Sequence, residues 1–478
     1  MKRALALTLA ALMLIAFLVG CNKDTTTPDV SVEPSTSPSA EVSVDVSESP
    51  SPEVNVDTDE VIELTVLNYL DLSGPSALQD IEVIWNAFEE AHPNIKLIRE
   101  DEFEESFHNK VEAYAAAGTL PDVMLCWPSG RSTTLHANHL LKDLGPLVAR
   151  DGLASYFTPV SLDGSQQAAG YLAMIPMGAT ATNAFLINHE ILDECGLQPA
   201  KTYSELVAQV PVLKAAGYQT ILMANQSTWV MQSCLFSAVV GRFMGEGWDE
   251  KILAGQTDFM DPDFIAALDF IKMMYDDGVI SKDTIAIDYG EGPGLFANNT
   301  AAYFVDGDWI IGNFLTDPTT GEALIDPERQ NNFSVTVFPE IDRPGVKFNR
   351  SNSVVLATGW GMNADLEDGS AKLEAAWELV KWLVGKEAQT HLLATGGSGS
   401  TSRTDIDFAS ITMEPLQIAL ANMGNDYDIA TVVVDGSFEG PVHEPINDGL
   451  QAIGLGLQTP QQVAEVVQAA YEEWKATR

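Results

Sequence analysis

Nine tryptophans are spread along this chain of 478 residues. Three of them, Trp127, Trp309 and Trp360, stand where loops are expected to leave strand ends rather than on apolar helix faces. Trp127 follows the buried-strand sequence PDVMLC and precedes PSGR, so that Arg131 is a near polar neighbour. Trp309 lies in DGDWIIGNF beside the carboxyls of Asp306 and Asp308, and Trp360 lies between two glycines in LATGWGMN, which leave its ring room to stand clear. Rings placed this way, with planar polar groups beside them, suit stacking on an apolar face and hydrogen bonding around the rim of a small molecule. Trp229, in NQSTWVMQ after a strand and a polar loop, is open to a cleft or a core position. Trp85, Trp377 and Trp474 fall on apolar helix faces and read as core, whereas Trp382 lies off the main stripe of its helix.

Bond-making chemistry has no such signature. HEILD and HEPIN lack the second histidine of a zinc-protease helix, GGSGS is not a nucleophile elbow, and GEGPGL is not a nucleotide-binding glycine pattern. The seven histidines are scattered without metal-ligand spacing, so no metal and no cofactor is expected. Glycoside cleavage asks only for two carboxylates at a set separation, and with 68 acids the spacing leaves that alternative open.

A formal charge of −43 would repel phosphates and anionic lipid, which excludes nucleic acid as a partner. The chain opens with Lys2 and Arg3 and an apolar run to Val19, the pattern of a secretory signal. The run ends at Leu18-Val19-Gly20-Cys21, which resembles the lipobox of bacterial lipoproteins, where the cysteine is acylated and becomes the first residue. Several acyl chains hold where one binds reversibly. From Asp24 to Asp59 the chain is rich in Ser, Thr, Pro and acid, with no Lys, Arg or aromatic, and is expected to be a disordered tether. Stretched toward polyproline geometry it would reach on the order of 100 Å from the membrane. Cys126, Cys195 and Cys234 match no metal or redox spacing and are expected as free, buried thiols.

What must position the rings is legible next. VIELTVLNYL is a strand; the helix over SALQDIEVIWNAFEEA follows; then come the strand IKLIRE, the helix SFHNKVEAYAAAG closed by Gly118, and the strand PDVMLCW. The alternation recurs from Phe185 to Asn225, with Thr202 and Glu205 as a capping box. It closes on a helix with Thr459 as cap and Pro460 at the first helical position. Alternating strands and helices imply parallel sheets covered on both faces, with ligands beyond the strand ends.

The phrases HPNIKL…AAGTLPDVMLCW, FLINHEILDECGLQPAKTYSEL, FANNTAAYFVDGDWIIGNF and AAWELVKWLVGKEAQTHLLATGG, in that order, resemble the extracellular solute-binding proteins of ATP-driven sugar importers over most of residues 60–478. The resemblance implies an α/β, two-lobed periplasmic-binding-protein-like fold, each lobe a mostly parallel sheet flanked by helices, with crossing hinge strands. Residues 1–20 would be the signal peptide and 21–59 the lipidated cysteine and tether. Residues 60–175 and 348–398 would form the N-terminal lobe, and 176–347 with 399–478 the C-terminal lobe. The chain would cross near Pro176, Phe348 and Gly399.

It further implies a carbohydrate ligand, an oligosaccharide, held by Trp127, Trp309, Trp360 and Trp229, with Asp71 and Tyr69 after the first strand, and with Asp306 and Arg131. Arg403 follows the third crossing and is either a ligand contact or, with Asp405, a structural ion pair. The protein would be a monomer, anchored to the bilayer through Cys21 on the extracytoplasmic face. It would hand its ligand to the permease subunits of an ABC importer and make or break no bond. The rival readings are a cell-surface polysaccharide-degrading lipoprotein enzyme and a surface adhesin.

Overall fold

The structure, a computed structural model, describes residues 61–72, 74 and 76–477. The expected signal segment, Cys21 and the tether lie outside the described residues. In chain order the strands are β1 (Ile62–Tyr69), β2 (Ile95–Glu102), β3 (Val123–Cys126), β4 (Ile175–Pro176), β5 (Ala179–Ala181) and β6 (Ala184–Asn188). They continue with β7 (Gln219–Leu222), β8 (Ala301–Asp306), β9 (Phe333–Thr336), β10 (Ser351–Leu356), β11 (Gly359–Met362) and β12 (Ile429–Thr431).

In the first lobe the sheet order is β2-β1-β3-β11-β4. The strands joined by helices, β1 with β2 and β1 with β3, run parallel, as a crossover connection requires. β11 alone arrives from the other lobe and runs antiparallel to both its neighbours, β3 and β4, whereas β4 follows the helix Pro159–Ala169 and leads out of the lobe in the direction of β3. Four of the five strands thus run in one direction and β11 against them, a mostly parallel sheet as the sequence pattern implied. Leu64, Phe88, Met124 and Trp377 are fully buried in its core.

The second lobe is built on the order β7-β8-β6-β9, in which β7, β8 and β9 run one way and β6 runs against both its neighbours. Every residue of β8 is buried, and its side chains are shared between two cores. Tyr303 and Val305 enter the larger one, Phe304 the smaller. A strand covered on both faces reads as a continuous apolar run, which AAYFVD does until its last residue.

Three segments cross between the lobes side by side. Met177 N–H donates to Thr358 O (2.9 Å), Ala357 N–H to Gly178 O (2.9 Å) and Ser402 N–H to Met177 O (3.1 Å). The crossing expected near Phe348 is instead at Ala357–Thr358. Phe348 donates its N–H to Arg242 O (3.1 Å) inside the second lobe, and β10 pairs with β5 and β12 before the chain returns. Gly178 has φ +149 and packs against Ser400 so closely that no Cβ would fit.

Local signals act where the sequence places them. Thr459 and Gln462 exchange cap hydrogen bonds at the start of Pro460–Ala476. Thr202 accepts from Glu205 N–H (3.2 Å), but the Glu205 carboxylate turns to Lys201 N–H (2.6 Å) instead of completing the box on Thr202. Cys126 and Cys234 are buried free thiols, and Cys195 is free and half-buried.

Candidate functional site

A cavity of about 480 Å³ opens between the lobes beside the hinge, within the range of small-molecule sites. Trp127, Trp229, Trp309, Trp360, Tyr69, Asp71 and Arg131 all line it.

One wall belongs to the first lobe. β1 ends at Tyr69 and the parallel neighbour β3 ends just before Trp127, so the two rings leave adjacent strand ends and meet edge-on, centroids 4.8 Å apart. Phe103 lies 5.1 Å from Tyr69, and His108 4.6 Å from Trp127. Burial, with help from the nearby Arg131 charge, pushes His108 down to about 3, so its imidazole is neutral. Burial also raises the Tyr69 hydroxyl well above the ordinary phenol range.

The facing wall belongs to the second lobe. β8 delivers the chain to Gly307, and the turn Asp308–Phe314 brings Trp309 back over that glycine, where a Cβ would overlap the indole. Trp309 Nε1–H donates to Tyr289 Oη (2.6 Å), and the Tyr289 ring lies 4.9 Å from Trp229. Two aromatic clusters, one per lobe, thus border the same space. The hinge closes the floor. Trp360 is only 4% exposed, sits on β11 edge-on to Trp85 (5.6 Å), and lends the cavity little more than its rim.

Two expected contacts lie elsewhere. Asp306 is fully buried behind Trp309 and Tyr289 and does not line the cavity. As the last residue of a doubly covered strand it turns inward, and Oδ1 accepts from Gly307 N–H (2.7 Å), Tyr289 Oη (3.3 Å) and Cys234 Sγ (3.6 Å). Oδ2 is buried without a hydrogen-bond partner, and burial pushes this carboxyl up to about 7. Asp308, two residues on, takes the lining position, accepts from Ala181 N–H (2.8 Å), and is likewise raised to about 7 by burial. Arg403 also lies outside the lining. It forms a bidentate pair with Asp405 (2.8 Å each) and stacks on Tyr156 and Phe157, pinning the third crossing to the first lobe.

Sequence reasoning missed Tyr289, Glu104, His108 and Asp435. Only Tyr289 carried a signal, an aromatic in the glycine-rich loop DYGEGPG. Glu104 precedes the helix Glu105–Ala117 with φ +53, a rare conformation for a residue with a side chain. Its carboxylate accepts from Ser227 Oγ of the opposite lobe (3.3 Å). Two π-helical turns, Ile81–Asn86 in the first lobe and Gln232–Phe236 in the second, flank the site, and Ile84, Trp85 and Ser233 from them reach its wall. Such turns recur at functional sites.

Residues 84–415 match the family described as bacterial extracellular solute-binding protein. Among solved structures the chain is similar to a chitin oligosaccharide binding protein, at 20% identity and TM-score 0.75, covering 86% of this chain and 98% of that one. It is as similar to a protein from work on xylan utilization by Caldanaerobius polysaccharolyticus, at 19% identity and TM-score 0.75, over 85% and 99% of the two chains. A maltose/maltodextrin-binding domain from Bdellovibrio bacteriovorus bound to maltotriose matches at 19% identity and TM-score 0.66, over 87% and 100%. No curated protein matches the sequence.

Proposed function

Since this chain belongs to the family of bacterial extracellular solute-binding proteins, we propose that it captures an oligosaccharide between its lobes and delivers it to the permease of an ATP-driven importer. It does so as a monomer, held on the extracytoplasmic face by acylation of Cys21, and it turns over nothing. The observation that carries this reading is the pair of aromatic clusters, Tyr69–Trp127 and Trp229–Tyr289–Trp309, facing one cavity from opposite lobes.

A sugar ring presents apolar C–H faces and a rim of hydroxyls. Trp127 and Trp309 supply the stacking surfaces, and Asp71, Asp308, Arg131 and Thr182 supply polar partners around them. A ligand touching both walls favours the closed arrangement by its differential affinity for that state, and the permease reads the closed shape. The names of the structural relatives, which refer to xylan, chitin oligosaccharide and maltotriose, agree with a saccharide cargo.

The test is a melting-shift screen of the purified protein over neutral, amino and acidic oligosaccharides, with product analysis on each hit. A shift with one class and no new reducing ends is expected. Release of reducing ends would replace this reading with the enzyme, and no shift with any saccharide would remove the sugar.

A further inference from the structure

The charge around the cavity bears on which saccharide it takes, a question that rests on the carbohydrate reading above. Six acids reach the lining, Asp71, Asp80, Glu104, Glu105, Asp308 and Asp435, of which Asp308 is raised to about 7 by burial and so is only partly charged at neutral pH. Against them stand two basic side chains among the described residues, His108 and Arg131. His108 is uncharged at neutral pH. Arg131 is already committed, Nε to Asp435 Oδ2 (3.2 Å) and Nη1 to Glu105 Oε1 (3.1 Å). Asp80 is paired with His391 Nε2 (2.7 Å).

Glu104 differs from these. Its hydrogen-bond partner is a neutral hydroxyl, Ser227, and not a cation. Although it stands at the N-cap position, its side chain does not cap the helix that follows but points across the cleft. Its backbone is held at φ +53, ψ −142, a region that costs on the order of 1–3 kcal/mol and persists where surrounding structure imposes it, often at ligand clamps. Loss of water around it raises its carboxyl above the ordinary range, the mark of an anion short of positive company.

We propose that the cavity selects saccharides bearing free amino groups and rejects uronates, with Glu104 as the carboxylate that receives the ligand's ammonium. An ammonium would supply the missing countercharge through a charge-assisted hydrogen bond, roughly twice as strong as one from a hydroxyl. A uronate would bring a further anion to a wall whose one guanidinium already serves Glu105 and Asp435.

Titration calorimetry on the purified full chain tests this with three tetrasaccharides: the β-1,4-glucosamine tetramer, its N-acetylated form, and tetragalacturonate, all at a pH where the amine is protonated. The expected result is at least tenfold tighter binding of the amine than of the N-acetyl form, with no detectable binding of the uronate. Glu104→Gln should reduce the amine preference to within about threefold while keeping its unliganded melting temperature. Tetragalacturonate binding as well as the amine overturns the proposal, and so does an unchanged ratio in Glu104→Gln. Binding confined to neutral glucans or xylans also overturns it, leaving the carbohydrate reading intact. Binding of no saccharide at all would instead sink that reading.

Discussion

Arg131 of the first lobe holds Asp435 of the second, Nε to Oδ2 at 3.2 Å, across the mouth of the cleft. Both side chains are mostly buried, 12% and 15% exposed. Beside them, Gly130 lies against the Asp435 and Phe438 carbonyl oxygens so tightly that a Cβ would overlap the first and stand 3.0 Å from the second. The two lobes therefore touch at a point where one side chain reaches over and its neighbour has none.

Gly130→Ala is expected to wedge this contact open. Its φ is not in the left-handed region, so alanine suits the first lobe's own backbone. Ligand affinity should fall at least tenfold, about 1.4 kcal/mol, with the unliganded melting temperature nearly unchanged. Titration calorimetry together with the radius of gyration under saturating ligand reads both effects. Arg131→Ala should weaken binding further, because it leaves Asp435 buried beside the cleft without its cation.

Trp309→Ala and Trp377→Ala should separate wall from core. Trp377 is fully buried, and its loss should cost about 3–5 kcal/mol of stability. Trp309 is only partly buried and borders the cavity, so its loss should weaken binding more than tenfold and move unliganded melting far less. Melting curves and titrations on the two variants check the contrast.

The buried carboxyl of Asp306 makes stability depend on pH. Raised to about 7, it keeps a proton that the unfolded chain has already released, so its contribution falls as pH rises from the ordinary carboxylate range toward 7 and is level above. Asp308 has the same sign. His108 and His136, lowered by burial to about 3 and about 4, act oppositely, since the unfolded chain gains protons they refuse as the medium acidifies. Asp306→Asn isolates one contribution: its melting temperature minus that of the wild type should climb between about pH 4.5 and 7.5. A level difference would mean that the carboxyl titrates normally.

At the hinge, Gly178→Ala should destabilise the protein by roughly 1–3 kcal/mol, because φ +149 strains any residue with a Cβ and Ser400 occupies its space. Chemical denaturation measures the loss.

How much of this was legible follows from the range of the forces involved. The strands and helices from Ile62 to Cys126 were readable because periodicity and caps are local. Trp127 was placed at the cleft because it directly follows a strand, and Trp309 because it lies three residues past one. What failed was a choice between near neighbours or a pairing across hundreds of residues. Asp306 and Asp308 differ only in which way the strand end turns. Arg131 meets a partner 304 residues away, and Glu104 one 123 residues away. The return crossing lies at Thr358 rather than Phe348 because β10 first completes a sheet in the second lobe, which no local pattern announces.

The most direct measurement is a crystal structure of the protein with its tightest-binding oligosaccharide. The account predicts a sugar ring against Trp127 and another against Trp309, with the Arg131–Asp435 contact closed over them. A saccharide seated outside this cavity, or touching one lobe only, would contradict it.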